Sequence, residues 1–348
     1  MATPYVRDSK LVFSLDDPTG SIARVALDCD DAIAGRRRFR RTSAGWTLTI
    51  PRPPLWRVEY RLLLTWHDGS VEVVCDPANP ERVRTAFGER SVALLPGYRP
   101  PAWLSDAGAA ATVTRIEHNS DVLGRVPVDV WSPDALQPAE PAPLLVVHDG
   151  PEYADLAGLA AYSAAMVGDE TLPRYRMALM HPLERDAWYT ANQEYLRAEL
   201  DCLDMVGESF AVAGPLVAMG ASLGGLTALL VALAGQRRFG GVLSQSGSFF
   251  TSELDMQESS YPYFDRVVGA VRDVADGGRS DHPLEIALTC GVSEENYANN
   301  KEMAAALRRN GHEVRLQGVR DLHNYTAWRD SLHPALTDVL RSVWGAGG

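Results

Sequence analysis

The sequence predicts two parts, a small all-β sandwich followed by a larger α/β domain on a mostly parallel sheet. Three observations carry this. Short β-rich segments fill the first hundred residues, with Gly, Pro and Asp between them. From residue 143 onward, strand-length apolar runs alternate with helical stretches. Between the two regimes lies a Pro-rich stretch, LLPGYRPPAW (94–103), that reads as extended linker. A chain of 348 residues has room for two domains.

The early strands are KLVFSLD (10–16), ARVALDC (23–29), GWTLTIP (45–51), VEYRLLLTW (58–66) and SVEVVCD (70–76). His67-Asp68-Gly69-Ser70 between the last two is a hairpin turn signal. Five short strands in so few residues suit a small sandwich over residues 1–100. Residues 101–112 follow as linker, and 113–348 as the second domain. Residues 113–133 read as an antiparallel hairpin at the edge of a new sheet. The runs LLVV (144–147), YRMALM (175–180), PLVAMG (215–220), GGVLSQS (240–246), LEIALTC (284–290) and EVRLQGV (313–319) then alternate with helical stretches at 192–210, 223–236, 297–310 and 327–344. Continuous apolar strands separated by helices imply a parallel sheet covered on both faces. Active sites of such sheets lie at the carboxyl ends of the strands.

Bulk composition narrows the function. With 46% hydrophobic and 22% charged residues, the chain is an ordinary globular protein. Its formal charge of −12 argues against general nucleic-acid binding. The run Arg36 to Arg41 is a local exception, read as a solvated basic loop or an anion-recognising patch. No apolar run approaches a membrane span, and MATPYVRDSK lacks the form of a secretory signal, so a cytoplasmic protein is expected. Cys29, Cys75, Cys202 and Cys290 are scattered, which predicts reduced thiols and no zinc site.

The strand exits carry the chemistry. After PLVAMG comes Gly220-Ala221-Ser222-Leu223-Gly224, a G-x-S-x-G turn between a buried strand and a helix. That context makes Ser222 a nucleophile candidate, with its hydroxyl lifted clear of the sheet. The helix N-terminus adds positive partial charge, and the Leu223 N–H suits an oxyanion. A serine hydroxyl needs a base. Of eight histidines, His148, His181 and His323 stand at strand exits, and only His323 follows the serine. The chain order serine, acid, histidine selects His323, leaving His148 and His181 as structural or pocket-lining. For the acid, the exit Gly291-Val292-Ser293-Glu294-Glu295-Asn296 offers two carboxylates. Glu294 is favoured, Glu295 suits the start of the next helix, and Asp321 is a rival two residues from His323. A second oxyanion donor is expected in His148-Asp149-Gly150-Pro151-Glu152-Tyr153, from Glu152 or Tyr153, because Pro151 has no N–H.

The stretches LLVVHDGPEY, GASLGGLTALL, GGVLSQSGSFF, TCGVSEEN and LHNYTAWRDSL resemble the enterochelin-esterase and esterase-D-like group of α/β-hydrolases, across roughly residues 110 to 345. EYRLLLTW followed by CDPANPERV resembles the immunoglobulin-like N-terminal domain of enterochelin esterases. The resemblance implies a serine esterase using Ser222, His323 and Glu294, with Leu223 as an oxyanion donor. It also implies no organic cofactor and no metal. PLERDAWYTAN (182–192) resembles the family's arginine-bearing segment, so Arg185 becomes a candidate substrate contact and Trp188 and Tyr189 candidate pocket walls. Gly150 and Tyr325 are expected to line the same substrate site. The sequence departs from the family pattern at Pro151, which follows Asp-Gly, and at Asn324, where Asp is frequent. The expected partner is a small-molecule ester, with a siderophore lactone as one candidate. Acyl transfer on the same scaffold, or a catalytically dead binding protein, are the alternatives.

Overall fold

The computed structural model describes residues 4–106 and 108–345. By its contacts the chain divides into two units, Met1–Pro100 with Arg320–Asn324, and Pro101–Val319 with Tyr325–Gly348.

In the first unit lie β1 (Tyr5–Arg7), β2 (Lys10–Asp16), β3 (Ile22–Cys29), β4 (Arg40–Thr42), β5 (Gly45–Pro51), β6 (Arg57–Trp66), β7 (Val71–Val74), β8 (Arg82–Thr85) and β9 (Gly88–Leu94). One antiparallel sheet runs β1-β2-β5-β4; another runs β3-β6-β9-β8, with β7 paired to β6. Alternate residues of β2, Leu11, Phe13 and Leu15, are buried, as a half-exposed strand requires. They share one core with Val25, Leu27, Val58, Tyr60 and Leu62 of the other sheet, where Phe13 meets Tyr60 edge-on at 4.9 Å. The turn at 67–70 closes the predicted hairpin, with the Gly69 N–H donated to the Trp66 carbonyl. β1, β4, β8 and β9 were not expected from the sequence. The first two are three residues long, too short to display a period.

The predicted linker is not a free tether. Leu95 is buried in the first unit, and its N–H binds the Trp56 carbonyl. Residues Ala102–Ser105 form a 3₁₀ turn that buries Trp103 edge-on against Tyr162 in the second unit. An indole buries too much apolar area to stay in solvent. Of the basic run, Arg37 donates to the Asp30 carbonyl, and Arg41 to Asp17 at 2.5 Å while lying over Trp46. Arg36, Arg38 and Arg40 are exposed.

The second unit holds β10 (Ala111–Ser120), β11 (Gly124–Pro133), β12 (Leu144–Val147), β13 (Arg176–Met180), β14 (Leu216–Ala221), β15 (Phe239–Gln245), β16 (Glu285–Gly291) and β17 (Glu313–Val319). They form one sheet in the order β10-β11-β13-β12-β14-β15-β16-β17. β10, β11 and β13 join antiparallel, and the remaining neighbours are parallel. Its helices are α1 (Gly150–Asp155), α2 (Leu159–Gly168), α3 (Arg185–Trp188), α4 (Gln193–Ser209), α5 (Leu223–Ala234), α6 (Phe264–Ala275), α7 (Tyr297–Arg309), α8 (Tyr325–Asp330) and α9 (Leu332–Trp344). Leu144 and Val146 enter one core while Leu145 and Val147 enter another, so both faces of the sheet are covered. The stretch expected as one helix over 327–344 is broken: His333 takes non-helical angles before Pro334, whose ring disfavours helical backbone in the preceding residue. Among the described residues no helix is long and apolar enough to cross a membrane.

Candidate active site

β14 is buried throughout and delivers the chain to Ser222, which stands at φ 56°, ψ −125° immediately before α5. A non-glycine residue with these angles is strained by about 1–3 kcal/mol. Four backbone hydrogen bonds hold it. Its N–H donates to the Gln245 carbonyl at 2.9 Å, and its own carbonyl accepts from Gly225 at 3.0 Å, Leu226 at 3.1 Å and Ser248 at 3.0 Å. Gly220 permits the turn, since a Cβ there would lie 2.4 Å from the Gly224 carbonyl oxygen. Ser222 Oγ is 3.1 Å from the Oγ of buried Ser248. Leu223 begins α5, so helix geometry gives its N–H no intrahelical acceptor.

The exit of β12 abuts this turn. A Cβ on Gly224 would meet His148 Cβ and Asp149 Oδ2, each at 3.2 Å. Asp149 is left-handed at φ 52°, and its N–H donates to the Tyr189 hydroxyl at 3.1 Å. Its carboxylate takes two bonds from Arg185, Nε and Nη2, at 2.7 Å each. Burial alone would lower the Arg185 pKa, but the hydrogen bonds and charge of Asp149 outweigh it and the pKa is raised. Gly150 lies against β13 so closely that a Cβ would fall 2.4 Å from the Leu179 backbone.

His148 locks the two exits together. Its backbone N–H and ring Nδ1 both approach the Met219 carbonyl, at 2.9 and 3.0 Å, and Nε2 lies 3.1 Å from the Glu199 carboxylate of α4. Both side chains are 0% exposed. Burial pulls the His148 pKa down, yet the Glu199 charge and hydrogen bond prevail and raise it. His148 is therefore structural, one of the two roles its sequence position allowed. His181, the other early exit histidine, bonds Asp129 at 2.8 Å on the antiparallel side of the sheet.

At the exit of β16, Glu294 is buried and Oε1 accepts from the Gly291 N–H at 2.7 Å and Ser246 Oγ at 2.9 Å. Glu295 is exposed. Asp321, the rival acid, is turned to Arg57, with Oδ2 2.7 Å from Nε. His323 is exposed, between the end of β17 and the start of α8, in the segment that belongs to the first unit.

The remaining expectations divide. The Tyr153 N–H is spent on the Asp149 carbonyl at 2.9 Å and its hydroxyl on Gln245, so Tyr153 is not an oxyanion donor. Glu152 lies in the first turn of α1, where N–H groups lack helical acceptors. Trp188 and Tyr189 are core residues, not pocket walls: Trp188 stacks on Tyr195 at 5.1 Å and Tyr189 supports Asp149. Arg185 is partly exposed, but its fork is committed to Asp149. Tyr325 is half-buried, edge-on to Tyr153 and Trp328. Sequence reading missed Gln245, Ser246, Ser248 and Glu199. The available signal was polar residues closing an otherwise apolar strand, in SQSGS.

The family described as putative esterase has a model that matches residues 122–339. The iron(III) enterobactin esterase of Dickeya dadantii (strain 3937) is 28% identical over 286 residues, which are 74% of this chain. The chain spans 63% of that relative's length. The iron(III) enterobactin esterase of Escherichia coli (strain K12) is 25% identical over 313 residues, 85% of this chain and 74% of that one. The crystal structure of the enterobactin esterase from Shigella flexneri in the presence of enterobactin shares the fold. Its TM-score is 0.78 at 23% identity, over 98% of this chain and 95% of that one.

Proposed function

Because the chain belongs to the putative esterase family, we propose that it is a serine carboxylic-ester hydrolase acting on a siderophore lactone of the enterobactin kind. Ser222 Oγ attacks the ester carbonyl while His323 takes its proton. Glu294 orients the imidazole and balances its charge. The Leu223 N–H and a first-turn N–H of α1 hold the oxyanion; Gly150 and Glu152 offer one each, Pro151 none. His323 then protonates the leaving alcohol. Water, deprotonated by the same imidazole, releases the acid from Ser222.

The observation that carries this reading is the strained Ser222 between a buried strand and a helix N-terminus, together with a buried carboxylate at a later strand exit. The substrate class is supported by the curated relatives, which are iron(III) enterobactin esterases. A fluorophosphonate probe, read by intact mass, tests the chemistry. One label is expected on the parent and none on Ser222→Ala. A parent that stays unlabelled while folded would sink the assignment. Release of linear products from enterobactin, followed by chromatography, tests the substrate.

A further inference from the structure

The segment carrying His323 is bound along its length within the first unit. The Trp56 N–H donates to the Arg320 carbonyl at 2.7 Å, and the Arg320 guanidinium lies over the Trp56 ring at 4.3 Å. Asp321 Oδ2 accepts from Arg57 Nε at 2.7 Å, with the two side chains 4% and 2% exposed. Asp321 Oδ1 accepts from the Leu322 N–H at 3.0 Å. The Leu322 side chain is buried in the sandwich core. The Asn324 N–H closes back on the Leu322 carbonyl at 2.9 Å, a tight turn centred on His323. Three consecutive residues are thus fixed before the exposed histidine.

A buried ion pair is a costly way to hold a loop. Well-packed apolar residues of similar volume are often as stable or more so. What the pair adds over apolar packing is direction. Arg57 opens β6 in the middle of its sheet, and its guanidinium is also stacked over Tyr98 at 4.5 Å. It is a rigid post with one carboxylate tied to it. We propose that Arg57 and Asp321 are positioning residues for His323. The inference rests on His323 being the general base.

The experiment follows fluorophosphonate labelling of the full chain over time, for the parent and for Asp321→Asn, Arg57→Met and His323→Ala. Two quantities are read, the rate constant and the final labelled fraction. Positioning predicts at least a tenfold slower rate for Asp321→Asn and Arg57→Met, with the final fraction at parent level. A purely structural role predicts the parent rate on a reduced fraction, and that result overturns the proposal. If Arg57→Met fails to fold, the near-isosteric Asp321→Asn decides alone. The parent's own behaviour separates the failures. An unlabelled parent, or His323→Ala at the parent rate, rejects the esterase reading or its base. Variants at the parent rate beside a slow His323→Ala reject only the positioning role.

Discussion

Replacing Glu199 by Gln isolates the buried pair that Glu199 makes with His148. Nε2 of His148 sits 3.1 Å from the carboxylate, while Nδ1 is held by the Met219 carbonyl. Breaking a buried pair from one side costs about 3–5 kcal/mol. Gln can still donate one neutral hydrogen bond to Nε2, which returns about 1 kcal/mol. The net loss is about 2–4 kcal/mol, or roughly 4–16 °C in Tm at the ~2–4 °C per kcal/mol of a unit this size. The dependence on pH carries more information. The His148 pKa is raised, with burial opposing and Glu199 prevailing. A raised folded-state pKa stabilises fully below the unfolded value, near 6.5. That stabilisation is lost as pH rises through the folded value. The Tm gap between parent and Glu199→Gln is therefore widest near pH 6 and narrows toward alkaline pH. Differential scanning calorimetry from pH 5.5 to 9 measures it. A gap constant over that range would refute a charged His148.

Two further outcomes follow from the site. Glu294→Gln should lower kcat on a cleaved ester by about 100-fold or more, because the imidazolium loses its partner, while exposed Glu295→Gln stays within about twofold; equal losses would reverse the assignment. Gly150→Ala must displace α1 or Leu179, since its Cβ would lie 2.4 Å from backbone; about 1–3 kcal/mol of stability should go, with slower Ser222 labelling, and an unchanged Tm and labelling rate would contradict the close approach.

The inner strands of the sheet, β12 to β16, were legible because they are buried on both faces and therefore read as apolar runs. LLVV matches its strand to the residue, as does EVRLQGV at the half-exposed edge, and the other parallel strands fall within one residue at each end. Ser222 was legible because the strained turn demands small neighbours at fixed spacing. Glu294 was favoured over Glu295 from the sequence, and the structure adds that the first is buried and the second exposed. Trp188 and Tyr189 misled because an aromatic pair beside an arginine has the composition of a pocket as much as that of a core. Their burial follows from α3 packing on α4, a contact between elements that periodicity does not encode. Glu199 was hidden for the same reason. One carboxylate among several in an amphipathic helix reads as solvent-facing until its histidine is known. The first unit's grip on residues 320–324 joins positions more than 260 apart in sequence, beyond any local signal.

The strain at Ser222 is sustained by the groups around it. Its four backbone hydrogen bonds contribute about 0.5–1.5 kcal/mol each, enough to offset the roughly 1–3 kcal/mol of an unfavourable backbone. One of them ends on the Gln245 carbonyl, and the Gln245 side chain extends the restraint. It accepts from the Tyr153 hydroxyl at 2.8 Å and donates to Thr289 at 3.2 Å, the Trp328 carbonyl at 3.1 Å and Ser331 at 2.9 Å. A single buried amide thus ties the Ser222 strand exit to α1, to β16 and to α8. Every polar atom of that amide is engaged, so the arrangement has few alternatives of similar energy. Removing one partner would leave a buried donor or acceptor unpaired, at about 1–3 kcal/mol. That cost keeps the Ser222 turn, α1 and β16 in register, and it explains why the polar residues closing β15 are buried rather than turned to solvent.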